Sequence, residues 1–309
     1  MNTLEDTVAV VTGAASGIGR AIAHSLAGHG SHIVAVDIDT VGITTLATEL
    51  TAQGATAAAC TADISGADAF DDVRNTALER FGHVDIVVNN VGVLTNGLPQ
   101  DIPVSEWQRI LNINLMSIVR SNTVFLPLLL DQGSGHVVNT ASFAGLFTYS
   151  YDRLPYAATK AAIVQISEGL ALYLRPRNIG VTLLCPGPVL TNIASSVPKF
   201  GAGAAMRTPG DQFELLDPAP VGDLVADAIC TTAFSCPPTR RSSMSYAGAS
   251  TAGMPTSITR SPVNPPHRKA KTDERCPNGW PQRIQRADAR TDPGQPGKLA
   301  RRQLRRRTR

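Results

Sequence analysis

From residue 7 onward the chain alternates two hydrophobic rhythms. Continuous apolar runs rich in β-branched residues occur at TVAVVT (7–12), HIVAVD (32–37), VDIVVNN (84–90), HVVNTAS (136–142) and GVTLLCP (180–186), with a weaker one at ATAAACTAD (55–63). Between them, apolar positions recur with helical spacing over about 17–30, 40–53, 66–82, 105–130, 155–174 and 221–234. Strands that are apolar on both faces belong to a parallel sheet covered by helices on both sides. Joined by right-handed crossovers, these strands predict an α/β fold: a doubly wound parallel sheet in a single domain.

The rhythm stops at Phe234. Residues 235–309 hold ten prolines and fourteen arginines, but only five residues from Val, Ile, Leu and Phe. Such a segment buries too little apolar surface to offset its backbone entropy. The prediction is therefore a domain over 1–234 followed by a disordered, basic Pro/Arg-rich tail over 235–309. Charge divides at the same place. There are 11 Lys+Arg against 21 Asp+Glu before it, a net of −10, and 17 against 4 after it, a net of +13. The overall +3 describes neither piece.

Composition narrows the chemistry. The five cysteines are scattered without CxxC spacing and the six histidines do not gather near them, so neither a zinc site nor a disulfide framework is expected. The start, MNTLEDTVAV, lacks the basic and apolar segments of a signal peptide. The most apolar stretch, VFLPLLL at 124–130, is short for a membrane span. A reduced cytoplasmic location is the expectation.

Two motifs carry candidate chemistry. TGAASGIG (12–19) follows the first strand and opens the first helix, with Gly13, Gly17 and Gly19 placed so that backbone N–H groups and a helix N-terminus can meet a diphosphate. The second strand ends in Asp37, a carboxylate able to accept from both hydroxyls of an adenosine ribose and to repel a 2′-phosphate. Asp37 could instead cap the next helix. No cation stands at Ser16 or Ile38, so the pattern favours NAD over NADP.

The second motif is YAATK (156–160), in a region whose only lysines up to Phe234 are Lys160 and Lys199. A free phenol titrates near ~10 and is a poor base at neutral pH. Lys160, one turn on, is expected to favour the phenolate of Tyr156, to lower its pKa, and to hold the nicotinamide ribose. Ser142, 14 residues earlier at the end of the fifth strand, projects at the same rim and can orient a substrate oxygen. The plainer alternative is a helix-surface pair worth ~0.2–0.5 kcal/mol.

Together with NNVG at 89–92, an Asn within NINL at 112–115 and PGPVLT at 186–191, these motifs give the chain a pattern that resembles the short-chain dehydrogenase/reductase family over about residues 4–234. The resemblance implies a Rossmann-like domain that transfers a hydride between NAD(H) and a secondary alcohol or ketone. By that resemblance the catalytic set is Asn114, Ser142, Tyr156 and Lys160, with Asn114 holding a water that links Lys160 to solvent. On its own, Asn114 reads equally as a polar residue breaking the long helix. The implied cofactor contacts add Ser16, Ile18, Asp63, Ile64, Asn90 and Gly92, then Pro186, Gly187, Val189 and Thr191 toward the nicotinamide. NNVG replaces the usual NNAG, and Val91 is expected to require only a local adjustment. A mostly apolar substrate pocket would be lined by Phe143, Leu146, Phe147, Tyr149 and Pro188, unless some of these pack the core. The resemblance also implies a homodimer or homotetramer.

Relatives continue past the last helix into a seventh parallel strand. Here SCPPTRRSSMSYAGASTAGMPTS holds no run of four apolar residues, so that strand is expected to be missing. The change at Phe234 suggests a shifted coding frame or an unrelated extension. Two other readings follow from the C-terminus: an NAD-binding protein with impaired catalysis, or a tail whose RRQLRRRTR (301–309) meets nucleic-acid or membrane phosphates. Without interleaved aromatics or a folded reader, neither specific nucleic-acid recognition nor a membrane partner is expected.

Overall fold

Strand and helix alternate through the first half of the chain as β1 (Val8–Thr12), α1 (Gly17–Gly28), β2 (His32–Asp37), α2 (Thr40–Ala52), β3 (Ala57–Thr61), α3 (Ala69–Phe81) and β4 (Ile86–Asn89). The second half adds β5 (Asn96–Gly97), α4 (Val104–Leu111), α5 (Ser117–Gln132), β6 (Gly135–Thr140), α6 (Phe143–Leu146), α7 (Leu154–Leu174), β7 (Ile179–Leu184), β8 (Lys199–Phe200), α8 (Pro218–Cys230) and β9 (Ser235–Cys236). This computed structural model describes residues 3–195, 197–201, 206–207, 209–210 and 213–236; the tail expected to be disordered lies, from 237 on, outside the described residues.

The main sheet runs β3-β2-β1-β4-β6-β7-β9, with every pairing parallel. The chain winds outward from β1 to β3, returns to set β4 beside β1, and then winds outward the other way. That reversal opens a crevice at the carboxyl ends of β1 and β4.

The continuous apolar runs are explained by two-sided burial. Ala9, Val11, Ile33, Ala35, Ile86 and Val88 share one core with α1, α2 and α8. Val8, Val10, Val34, Val36 and Val87 share the other with Phe70, Val73, Phe125, Leu129 and Ala171 of α3, α5 and α7. Phe70 and Phe125 meet edge to face with centroids 6.1 Å apart. Each fully buried Val, Ile, Leu or Phe among them contributes about 1.5–3 kcal/mol, which is what holds the helices on the sheet.

Three expectations need correction. The seventh strand is present: Ser235 and Cys236 pair in parallel with Leu183 and Leu184, and Leu183 N donates to Phe234 O at 2.6 Å. A two-residue edge strand needs backbone donors and acceptors rather than an apolar run, so no run of four apolar residues marks it in the sequence. The sheet therefore reaches two residues beyond the expected boundary at 234. The long helix expected over 105–130 contains a π-helical turn at Asn112–Met116 between α4 and α5. By length and composition that helical run, Val104–Gln132, could cross a membrane, so a short VFLPLLL does not decide the matter. In this fold it packs on the sheet through Phe125 and Leu129.

One buried group ties stability to pH. His136, fully buried on β6, places Nε2 2.9 Å from Thr182 Oγ1, and that hydroxyl donates to Ala233 O at 2.7 Å. With the hydroxyl hydrogen committed to Ala233, the imidazole must donate from Nε2. Its Nδ1 has no hydrogen-bond partner among the described residues. Burial, reinforced by the Arg175 charge, pushes this imidazole down to about 3. An unfolded histidine titrates near ~6.5, so between the two values the unfolded chain binds more protons. The stabilisation is complete above the unfolded value and is lost as pH falls toward the folded one. Denaturation midpoints should thus decline more steeply with acid in the wild type than in His136→Gln; parallel declines would place the acid sensitivity elsewhere.

Candidate active site

The crevice is stitched shut at its base by Thr12. Its Oγ1 donates to Val88 O at 3.0 Å and accepts from Asn90 N at 3.0 Å, while Asn90 Nδ2 reaches Thr12 O at 3.2 Å. The glycine turn starts from this anchor. Gly13 has φ +68°, and any side chain at Gly19 would collide with the Gly13 carbonyl oxygen. Val91, the departure from the usual alanine, lies close to the Cα face of Gly13, where a Cβ would come within 3.3 Å of its Cγ2. Ser16 stands at the N-cap of α1 but its side chain makes no capping bond. The first-turn N–H groups of a helix lack intrahelical partners, so Gly17, Ile18 and Gly19 offer donors at the positive end of the helix. This donor set, free of intruding side chains, fits a dinucleotide diphosphate.

Asp37 is not the cap of α2. That role belongs to Asp39, whose Oδ1 accepts from Gly42 N at 3.0 Å. Asp37 instead turns back to the glycine turn, Oδ2 accepting from Ala15 N and Oδ1 from Asp39 N, each at 3.1 Å. The neighbouring Ser16 and Ile38 are exposed. Asp63 is exposed at the end of β3 and accepts from Ser65 N at 3.0 Å, with hydrogen bonding to Ser65 holding its carboxyl below the usual range. Ile64 does not share that position, because its side chain is buried in the core.

On the far side of the crevice, Ser142 follows β6 by two residues and caps α6, its Oγ accepting from Ala144 N at 3.2 Å. Tyr156 and Lys160 lie one turn apart on α7, both buried, with the Lys160 Nζ 5.6 Å from the tyrosine ring centroid. Lys160 Nζ donates to Thr140 O at 2.7 Å. Burial pushes the Lys160 ammonium down to about 8. The expected lowering of the tyrosine by that ammonium is overturned: burial pushes the Tyr156 phenol up to about 12, against the opposing hydrogen bond from Ser142 and the charge of Arg153. Burial disfavours the charged form of each group, the phenolate of Tyr156 and the ammonium of Lys160.

Asn114 marks the irregular turn in the long helix. It sits fully buried in the π turn, and its side chain accepts from Val93 N at 2.8 Å and donates to Val93 O at 3.0 Å. It also donates to Thr159 Oγ1 at 3.3 Å. A Cβ at Gly92 would lie 3.2 Å from Lys160 Nζ and 3.9 Å from Asn114 Oδ1, so these three residues meet at one point.

The loop after β7 bridges the two halves. Pro186 O accepts from Phe143 N at 3.0 Å, Gly187 lies against the Phe143 ring, and Val189 pairs with Leu216. The Thr191 methyl reaches back to Gly17, 2.9 Å from where a Cβ there would stand. Pro188 is half-buried in the same loop. Phe143, Phe147 and Tyr149 form an aromatic wall beside Ser142, with Phe143–Phe147 centroids 5.6 Å apart and Phe147–Tyr149 centroids 5.9 Å apart. Phe143 is itself only 5% exposed, so its role is mainly packing. Phe213 joins the wall, 5.3 Å from Phe143 and 6.2 Å from Phe147. Nothing in the sequence of that polar loop marks which residue folds back.

The short chain dehydrogenase family profile matches residues 7–200. An uncharacterized oxidoreductase of Staphylococcus aureus is 33% identical over 229 residues, which cover 74% of this chain and 93% of that protein. Among solved structures, a short-chain dehydrogenase/reductase from Burkholderia phymatum in complex with NAD superposes with a TM-score of 0.70 at 30% identity, covering 77% of this chain and 90% of that one. A 3-ketoacyl-(acyl-carrier-protein) reductase from Brucella melitensis complexed with NADH gives a TM-score of 0.67 at 27% identity, covering 77% and 99%. The doubly wound sheet is accordingly Rossmann-like, and the chain belongs to the short-chain dehydrogenase family of oxidoreductases, whose members bind nicotinamide cofactors.

Proposed function

We propose that this protein interconverts a secondary alcohol and a ketone on an apolar substrate, using NAD(H). The observation that carries the reading is the convergence of Ser142, Tyr156 and Lys160 on the rim that also holds the glycine turn and Asp37. Bound at this rim, the nicotinamide supplies or accepts the hydride. The chain's own residues do the rest. The N–H groups of Gly17, Ile18 and Gly19 bind the diphosphate, with Asn90, Gly92, Asp63 and the 186–191 loop along the remainder of the cofactor. Asp37 accepts from the ribose hydroxyls and disfavours a 2′-phosphate, which supports NAD over NADP.

Ser142 orients the substrate oxygen. Tyr156, protonated at neutral pH in the ligand-free protein, donates its proton to a ketone oxygen, and in the opposite direction its phenolate accepts that proton. Lys160 holds the ribose, and Asn114 lies beside it where a proton can be passed onward. The wall of Phe147, Tyr149 and Phe213 suits an apolar substrate. The reading of an impaired NAD-binding protein loses the missing strand that motivated it, since β9 is paired. Homo-oligomer formation is also proposed, supported by the exposed apolar Met116, Val119, Leu172 and Tyr173.

Tyr156→Phe should keep NAD affinity while turnover of apolar secondary alcohols falls by on the order of 10²–10⁴ or more; full activity in that variant removes the assignment. Asp37→Ser should raise the NAD dissociation constant about tenfold and narrow the preference over NADP, through loss of a charged acceptor. Equal binding of both cofactors by the wild type would refute the NAD preference.

A further inference from the structure

The NINL segment holds two asparagines, and the chemistry above uses only the second. Asn112 opens the π turn, half-buried and two residues before Asn114. Its Nδ2 donates to the backbone oxygen of Ser65 at 3.1 Å, 47 positions away in the chain. Its Oδ1 accepts from Arg120 Nη2 at 2.5 Å, and Arg120 Nη1 donates to Asn112 O at 3.4 Å. A guanidinium can only donate, so it fixes which end of the amide faces it. The NH2 group is thereby left facing the Ser65 carbonyl.

Ser65 belongs to the turn at 63–66 between β3 and α3. That turn closes on Asp63, whose Oδ1 accepts from Ser65 N and whose backbone oxygen accepts from Gly66 N, each at 3.0 Å. β3 lies at the edge of the sheet, with β2 as its neighbour, and Ala59 and Thr61 on it are exposed. A turn carried by such a strand has few buried contacts of its own and opens readily unless something further in holds it. Asn112 supplies that hold. The π turn is itself fixed, because Asn114 clamps Val93 N and Val93 O at 2.8 and 3.0 Å. One helical turn thus carries, two residues apart, a tether to the turn bearing Asp63 and a clamp on the segment after Gly92.

We propose that Asn112, oriented by Arg120, is a positioning residue for the cofactor: it holds the 63–66 turn where Asp63 meets the adenine. The proposal deepens the reading given above and rests on its placement of the cofactor along Asp63. It assigns Asn112 no part in proton or hydride transfer, so the effect falls on affinity and not on the chemical step.

The test uses the full-length protein, with 5′-AMP in calorimetric titration as the probe of the adenine end and 1-phenylethanol with NAD for turnover. Asn112→Asp keeps the shape and the Arg120 partner but turns an acceptor oxygen toward the Ser65 carbonyl. The AMP dissociation constant and KM for NAD should each rise about tenfold. The kcat at saturating NAD should hold within about twofold with its pH profile unmoved, because Asn114 and Lys160 keep their partners. Unchanged AMP affinity overturns the tether. A loss of kcat as large as the loss of AMP affinity, or a displaced pH profile, also overturns it, since either places the effect at the Asn114–Lys160 end. Arg120→Met leaves the Asn112 amide unoriented and should weaken AMP binding about threefold. Unchanged affinity in that variant overturns the proposal even where Asn112→Asp fails to fold. A wild type that oxidises no alcohol defeats the proposed function, while AMP affinity in the two variants still decides the tether. A wild type that binds no AMP defeats the cofactor reading and the tether with it.

Discussion

The site is organised around an ammonium group that has been taken out of water. Lys160 is 2% exposed, and its hydrogen-bond partner is a backbone carbonyl, Thr140 O, rather than a carboxylate. A charge in such a place is costly unless its surroundings stay polar and fixed. Gly92 leaves it room, Asn114 lies within reach, and the end of β6 supplies the carbonyl. The same burial raises the Tyr156 phenol and lowers the Lys160 ammonium.

Holding that arrangement requires α7 to keep its place on the sheet, and a buried polar chain does this. Asn89 Nδ2 donates to Asn139 Oδ1 at 2.9 Å, Asn139 Nδ2 to Ser167 Oγ at 3.0 Å, and Ser167 Oγ to Ile163 O at 2.7 Å. β4, β6 and α7 are thereby joined inside an otherwise apolar layer. None of the buried side-chain atoms of Asn89, Asn139 and Ser167 lacks a hydrogen-bond partner, and a satisfied buried network specifies one packing of the helix where apolar contacts alone would tolerate several. The catalytic helix is positioned from below by this chain.

Local residue chemistry made much of the site legible before folding. The glycine turn, Asp37 and the Tyr156–Lys160 spacing announce themselves because backbone sterics and one-turn helix geometry depend on near neighbours in the chain. Phe213, Asp152 and the edge strand at Ser235–Cys236 gave no such signal. Phe213 meets Phe143 from seventy positions away, Asp152 grips a backbone N–H that any residue but proline would offer, and β9 pairs through its main chain. In each case the partner is remote, and no periodicity marks it.

What the sequence determined by itself was the order of the six longer strands and the long helices between them and the two-sided burial of the sheet, since apolar period and glycine placement are local properties of the chain. What only the tertiary structure decided was the balance of forces among the residues at its rim. Asp39 rather than Asp37 caps α2, which frees Asp37 to face the glycine turn. Burial, against the hydrogen bond of Ser142, raises the Tyr156 phenol. Burial and competition for hydrogen-bond partners exist only once distant segments are brought together, and no spacing along the chain encodes their magnitudes.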